Sequence, residues 1–400
     1  MNAILTQAKL EGEILAIPSK TFAHRAIICN YLSGNNGSLS GLYNSIDINA
    51  TLGCINTLLL DKEKVLDCKE SGTTLRLLLP VVSALGGRYD FIGQGRLMQR
   101  PNAELERVLS EHGIKVEKGD GISVCGKLNC GDFYIRGDVS SQYISGLLMA
   151  LPILDGDSRI ILTTPLQSAP YVDVTLSILK LYGIEIIKID NGFFIKGNQA
   201  YKKVDYVIEG DWSNASCFLV AGAMFGKITV KNLNLNSLQG DKAILKVIES
   251  AGGKITFGDN SVTVEKGELK PFTYSLKDCP DLVSAMALLG VASNGVSVIK
   301  DVNRLKIKES NRVESIIKML SSFGIKAEEN DDSICIYGGK VKGGKVDSFN
   351  DHRIVMASSI LSCLGNEKTI ITNAQAVDKS YPTFFEDLIM LGGKVKLYEK

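Results

Sequence analysis

Apolar and polar positions recur along this chain in one repeated order: an amphipathic helix, a glycine, a short strand, a polar turn and a second short strand. The order appears in LERVLSEHGIKVEKGDGISVCG, LSILKLYGIEIIKIDNGFFIKG, LKVIESAGGKITFGDNSVTVEKG and IIKMLSSFGIKAEENDDSICIYGG, and its beginning returns in FFEDLIMLGGKVKLYEK. In the fourth copy Val313, Ile316, Ile317 and Leu320 fall at helical spacing, and Gly324 follows as a C-cap. The five closing glycines, Gly113, Gly183, Gly252, Gly324 and Gly392, lie 70, 69, 72 and 68 residues apart. A weaker sixth copy, TLGCINTLLLDKEKVLDCK, precedes them without its glycine. Such a period is too long for a solenoid repeat and fits a βαβαββ unit with two helices. The pattern therefore predicts an α/β (α+β) chain of six such units, three in each of two domains. In YVIEGDWSNASCFLVAGAMFG a strand ends at Gly210 and Asp211 before a new helix. Repeat counting, with no Pro-rich linker to help, puts the crossing there. Residues 1–17 with 209–400 are expected to form one discontinuous domain, with 18–208 inserted as the other.

Composition narrows the function classes. A chain of 400 residues with 45% apolar and 22% charged positions reads as a well-packed globular protein of more than one domain. Its 45 Lys and Arg balance 44 Asp and Glu, which gives no general attraction to nucleic acid or to an anionic membrane. Any basic site must be local. The opening MNAILTQAKLEGEILAIPSK lacks a basic start followed by a long apolar core, and no run reaches membrane-spanning length, so a cytoplasmic protein is expected. Nine cysteines without a CxxC pair read as reduced thiols rather than a disulfide framework or a zinc site. Three histidines, His24, His112 and His352, do not make a metal centre, and His24 and His352 read as orienting or packing residues.

The local basic site is visible at helix starts. RLKIKESNR gathers Arg304, Lys306, Lys308 and Arg312 around Glu309, with Arg312 in the first turn of a helix, where the macrodipole prefers an acid. PSKTFAHRAIICNYL sets Lys20 and Thr21 before a helix, with Arg25 in its opening turn. ESGTTLRLLLPVVSAL offers Ser71, Gly72 and Arg76, and its Pro80 predicts a kink. SSQYISGLLMALPIL begins on Ser140 and Ser141, both good N-cap types, followed by Gln142. NDHRIVMASSILSCL opens with Asp351, His352 and Arg353, and DKSYPTFFEDLIML with Lys379 and Ser380. Each cation alone reads as a solvated surface charge. Together they oppose the dipole unless anions occupy those ends, where free backbone N–H groups already favour phosphate or carboxylate. GKVKGG lacks a P-loop context and reads as a turn, and Arg96 and Arg100 of GQGRLMQRP fit either surface charges or anion clamps. Asp281, after Pro280, reads equally as a first-turn acid or a catalytic one, and Glu309 as part of an ion-pair network or as a reacting group.

The segments IPSKTFAHR, SGTTLR, RP, SSQYISGLLMALP, PDLVSA, RLKIKESNR, NDHRIVMA and DKSYPTFFEDL occur in the order found in the 5-enolpyruvylshikimate-3-phosphate synthase family, which the chain resembles from about residue 18 to about residue 387. The resemblance implies two similar domains of three βαβαββ units each, helices inside and sheets outside, with helix N-termini facing an interdomain cleft. It implies two small-molecule substrates, shikimate 3-phosphate and phosphoenolpyruvate, with no cofactor, no metal and a monomeric enzyme. By motif, Lys20, Thr21, Arg25, Ser140, Ser141, Gln142, Ser168, Asp281 and Lys308 would bind shikimate 3-phosphate. Lys20, Gly72, Arg100, Gln142, Arg312, Arg353 and Lys379 would bind phosphoenolpyruvate. Asp281 would take the proton of the 5-hydroxyl as it attacks, and Glu309 would protonate the methylene carbon, with Lys20 reaching both ligands. Either division of acid and base between the two carboxyls is open.

The chain departs from the family pattern at several of these places. Thr21 stands where serine is usual, His24 where an amide is usual, Asn311 where aspartate is common, and Arg304 where an asparagine often lies. The nearest rival is the sister transferase acting on UDP-N-acetylglucosamine, whose loop cysteine has no counterpart in GQGRLMQRP. A noncatalytic binder of phosphorylated metabolites is the alternative from another class.

Overall fold

The computed structural model describes residues 1–60 and 64–399. The chain divides into two compact units, Met1–Ile17 with Glu209–Lys400, and Pro18–Ile208. Among the described residues the α-helices come in six pairs. In the inserted unit they are α1 (Lys20–Leu32) and α2 (Ile46–Leu60), α3 (Gly72–Leu85) and α4 (Ala103–Glu111), and α5 (Ser141–Ala150) and α6 (Ala169–Leu181). In the discontinuous unit they are α7 (Trp212–Phe225) and α8 (Ile244–Ser250), α9 (Val283–Ala292) and α10 (Arg312–Ser322), and α11 (His352–Leu364) and α12 (Phe384–Met390).

Among the described residues five four-stranded sheets share one order: two parallel strands, with two further strands added antiparallel. In one, Val65–Asp67 runs parallel to Gly87–Ile92, which pairs with Ile122–Gly126, itself paired with Lys115–Lys118. The repeat that begins with α12 ends at the other end of the chain. Lys394–Tyr398 pairs with Asn2–Thr6, which also pairs with Thr369–Thr372, so the N-terminal strand fills the place the last repeat lacks. Gly12–Leu15 likewise lies parallel to Lys227–Lys231. These ladders hold residues 1–17 in the discontinuous unit. The sixth repeat is reduced: among the described residues its strand Leu39–Ser40 pairs only with Tyr206–Val207, and Asp61, Lys62 and Glu63 of the weak copy lie outside the described residues.

The first helix of each pair is the more buried. In α3, α7, α9 and α11 nearly every residue is inaccessible, whereas α4 and α10 bury one stripe. A helix wrapped on all sides has a weak apolar stripe, as in α7, α9 and α11, whereas α4 and α10 show a strong one along the sequence. Pro80 does not break α3, which runs unbroken from Gly72 to Leu85. The missing N–H frees the carbonyl of Arg76, and Gly146 of α5 packs so close to it that an added Cβ would lie 2.5 Å from that oxygen.

The five closing glycines are helix caps with φ between +75° and +101°. In each, the glycine N–H and the next N–H turn back onto the last turn; Gly324 donates to Ser321 and Ile325 to Leu320, both at 2.9 Å. An alanine must adopt this left-handed conformation at a cost of about 1–2 kcal/mol. For Gly324→Ala the nearest obstruction is the flexible side chain of Lys342, but for Gly252→Ala the new Cβ would sit 2.5 Å from the carbonyl of Glu268. Urea unfolding should show both variants destabilised, Gly252→Ala the more; equal midpoints would contradict the capping geometry.

Candidate active site

In the discontinuous unit the polar residues assemble around one guanidinium. Arg312 is the first residue of α10 and is buried, its start capped by Asn311, whose side chain accepts from the N–H of Glu314. Asp351, the buried N-cap of α11, accepts from Arg312 Nε at 2.8 Å, from the Ser310 hydroxyl at 3.0 Å and from the backbone N–H of Arg353 at 2.9 Å. Arg312 also donates to Asp281 at 2.8 Å and to Glu309 at 2.5 Å. Arg353 donates to the Ser213 hydroxyl at 2.6 Å and lies 3.4 Å from Asp281, and Lys308 lies 3.9 Å from the same carboxylate. The structure thus brings Asp281, Lys308, Glu309, Arg312 and Arg353 together. Lys379 is also buried, its ammonium 2.7 Å from the carbonyl of Asn350, the residue before Asp351.

Charge sets the state of this group. Burial opposes ionisation of Asp281, yet Arg353, Lys308 and Arg312 outweigh it and hold the carboxyl well below its usual range. Burial likewise disfavours charge on Arg312, but Asp351, Glu309 and Asp281 secure it. Lys308 is lowered to about 8, chiefly by burial, with Asp281 opposing and Arg312 assisting.

In the inserted unit the helix starts carry the other residues. Lys20 opens α1 and pairs with Asp47 of α2 at 2.7 Å. Arg25 is one turn further on and buried; it donates to Thr175 at 2.6 Å, to the carbonyl of Thr21 at 2.8 Å, and to Ser145 and the carbonyl of Tyr171 at 3.2 Å. None of these partners is a carboxylate, and burial lowers the guanidinium to about 10. Ser140 caps α5 by accepting from the N–H of Gln142, and Ser141 is the first residue of that helix. Ser168, buried and left-handed at φ +57°, precedes α6. Gln142 accepts from Arg76 at 3.0 Å and donates to Thr73 at 2.8 Å. Arg100 lies against Gly72, where an added Cβ would meet its guanidinium at 2.7 Å. Arg100 is buried and Arg96 exposed, which separates the two readings of that loop.

Carboxylates of the same chain lie opposite Lys20, Arg312 and Arg353 at their helix starts. Several expectations need correcting. Of the four cations flanking Glu309, Arg312 takes it, Lys308 turns toward Asp281, and Lys306 pairs with Glu329 at 2.7 Å. Arg25 lies beyond the first turn of α1, since the helix starts at Lys20. Lys379 ends a 3-10 turn, Ala374–Lys379, and Asp281 sits in another, Pro280–Leu282. The sequence reading missed the supporting roles of Asp351, Asp47, Arg76 and Ser213. Asp351 and Asp47 carried the signal of a capping or first-turn acid; the other two act through contacts distant in sequence.

Breaking a buried pair strands its partner, at about 3–5 kcal/mol. Asp351→Asn should therefore unfold at markedly lower urea, whereas Glu309→Gln, on the exposed side of the same guanidinium, should cost about 1 kcal/mol. Equal losses would contradict the assignment of Asp351 as the buried counter-ion.

A family model described as EPSP synthase (3-phosphoshikimate 1-carboxyvinyltransferase) matches residues 52–388. Relatives named 3-phosphoshikimate 1-carboxyvinyltransferase include one from Clostridium novyi (strain NT), 38% identical over 98% of both chains, and one from Clostridium acetobutylicum, 40% identical over 99% of this chain and 98% of the relative. Among solved structures, an EPSP synthase from Acinetobacter baumannii superposes with a TM-score of 0.80 at 20% identity, covering 99% of each chain. The enolpyruvyl transferase NikO from Streptomyces tendae reaches 0.79 at 14% identity, covering 99% of this chain and 98% of that one. These two share the fold. The family match and the two clostridial relatives show that the chain belongs to the EPSP synthase family, the 3-phosphoshikimate 1-carboxyvinyltransferases.

Proposed function

We propose that the two groups of residues serve one reaction: transfer of the enolpyruvyl group of phosphoenolpyruvate to the 5-hydroxyl of shikimate 3-phosphate, with release of phosphate. Family membership supports the reaction, and the observation that carries the site is Arg25. A guanidinium buried without a carboxylate partner is costly unless an anion completes it. The hydroxyls of Ser140, Ser141 and Ser168 begin the two helices, α5 and α6, that hold Arg25. A phosphate monoester suits that setting, and with Thr21, Gln142 and Lys308 it accounts for shikimate 3-phosphate. Arg100, Arg312, Arg353, Lys20 and Lys379, with the bare Cα of Gly72, suit the carboxylate and phosphate of phosphoenolpyruvate, which planar guanidinium groups grip in two places.

The ion pairs around Asp281 set the chemistry. Held among three cations, its carboxylate is a weak base. An incoming anion that draws Arg312 and Arg353 away lessens that restraint, so substrate binding raises the basicity of Asp281 when the 5-hydroxyl must lose its proton. Glu309, paired with the same guanidinium until the incoming anion takes it, then picks up a proton from water and serves as the acid at the methylene carbon. Addition gives a tetrahedral adduct; proton return and loss of phosphate complete the transfer, with the cations stabilising charge throughout.

A phosphate-release assay with phosphoenolpyruvate tests this directly. Turnover is expected with shikimate 3-phosphate and not with UDP-N-acetylglucosamine; the reverse would overturn the reading. Asp281→Asn and Glu309→Gln should each lower kcat by roughly 10²–10⁴-fold, which a noncatalytic binder would not show. Gly72→Ala should push Arg100 aside and raise KM for phosphoenolpyruvate by roughly 10- to 100-fold, with little loss of stability.

Lys308 gives a pH signature. It is cationic at neutral pH and loses its charge as pH rises through about 8. The value of kcat/KM for shikimate 3-phosphate should therefore fall above pH 8, and Lys308→Arg should remove that limb. A limb unchanged in Lys308→Arg would assign it elsewhere.

A further inference from the structure

A chain of side-chain hydrogen bonds crosses three helices of the inserted unit. His24 Nδ1 lies 2.6 Å from Thr51 Oγ1, Thr51 lies 2.7 Å from Thr74 Oγ1, and Thr74 donates its hydroxyl proton to Ser71 Oγ at 2.7 Å. All four residues are buried. The last bond fixes the direction of the rest. Each hydroxyl has one proton, and Thr74 has spent its own on Ser71. Thr51 must then donate to Thr74, and His24 must donate to Thr51 through Nδ1–H. His24 is therefore a histidine protonated at Nδ1, with Nε2 bare; Nε2 has no partner among the described residues. Burial first, then Lys20 and Arg25, disfavour a second proton on the ring. Left unpartnered, an acceptor nitrogen there is less costly than a buried charge.

At the far end, Ser71 Oγ accepts twice, from the hydroxyl and from the backbone N–H of Thr74. Both lone pairs are used, and the proton of Ser71 itself remains to be given.

 Among the described residues no acceptor is found for it. Ser71 is the N-cap of α3, next to Gly72, against which the guanidinium of Arg100 lies.

We infer that Ser71 gives its hydroxyl proton to phosphoenolpyruvate at the start of α3, and that His24, acting through Thr51 and Thr74, is the positioning residue that fixes the direction of that donor. The inference rests on the function proposed above for Gly72 and Arg100. It also gives α1 and α3 a shared orientation: the helix that begins with Lys20 sets the polarity of the cap beside Gly72. A hydroxyl held as a donor favours an anion, whereas the same hydroxyl turned to accept would repel it.

Two measurements test this. In enzyme labelled with 15N-histidine, long-range proton–nitrogen spectra assigned with His24→Asn should show His24 protonated at Nδ1 and bare at Nε2; the opposite tautomer would overturn the inference. Thr51→Val breaks the chain and keeps the shape of the side chain, while Thr51→Ser keeps the hydroxyl. Thr51→Val should raise KM for phosphoenolpyruvate roughly 3- to 10-fold, with kcat and KM for shikimate 3-phosphate nearly unchanged, and Thr51→Ser should restore it. Ser71→Ala should give a similar rise, and adding Thr51→Val should raise KM no further. An equal loss for both substrates, additive effects in the double variant, or a lowered melting temperature with KM unchanged would overturn it. Failure of the wild-type enzyme to release phosphate would instead refute the proposed reaction and leave the tautomer result standing.

Discussion

The discontinuous unit is organised around a guanidinium that three carboxylates of its own chain compete to hold. Arg312 is buried, and each of its nitrogens donates to Asp351, Asp281 or Glu309. No single one of these acids would justify taking that charge out of water; together, with hydrogen bonds to Asp351 from the Ser310 hydroxyl and from the backbone N–H of Arg353 in the first turn of α11, they do. The arrangement sorts the acids by access. Asp351 is fully buried and serves as the permanent counter-ion, while Asp281 and Glu309 keep about a quarter and a fifth of their side-chain surface exposed, at 25% and 21%. On the function proposed above, the exposed pair are the two that Arg312 would exchange for another anion.

The inserted unit follows the opposite rule. Arg25 is as deeply buried but is surrounded by neutral acceptors, two hydroxyls and two carbonyls. One unit thus holds a cation whose charge is already answered, and the other a cation whose charge is not. A reaction that combines a phosphate monoester with a second, exchangeable anion suits this contrast. On the function proposed above, the first anion would complete a standing deficit; the second would have to displace carboxylates, and in doing so would change their basicity.

Much of the architecture was legible in the sequence because glycine has few substitutes at a left-handed helix cap. Gly113, Gly183, Gly252, Gly324 and Gly392 marked every full repeat, and the amphipathic second helices before them could be read from periodicity. The first helices α7, α9 and α11 could not, since burial on all sides erases the stripe. The closing of the last repeat by Asn2–Thr6 was also hidden, because strand pairing across the whole length of a chain leaves no local trace. At the site, cations at helix starts were visible as an electrostatic anomaly, but their partners were not. Asp351 and Asp47 looked like ordinary caps and first-turn acids, and nothing in their spacing announced Arg312 or Lys20. The family motifs supplied the grouping that spacing alone could not.

Exchange of the Arg312 ion pairs is the claim on which this account turns, and calorimetric titration of phosphoenolpyruvate into Glu309→Gln enzyme saturated with shikimate 3-phosphate measures it. Removing Glu309 removes both a competitor for the guanidinium and a charge that repels the ligand. Affinity at least equal to that of the wild type, in an enzyme that barely turns over, is the expected result. Binding weakened by about tenfold or more, the equivalent of 1.4 kcal/mol, would mean that Glu309 helps to hold the ligand rather than yielding Arg312 to it, and would contradict the account.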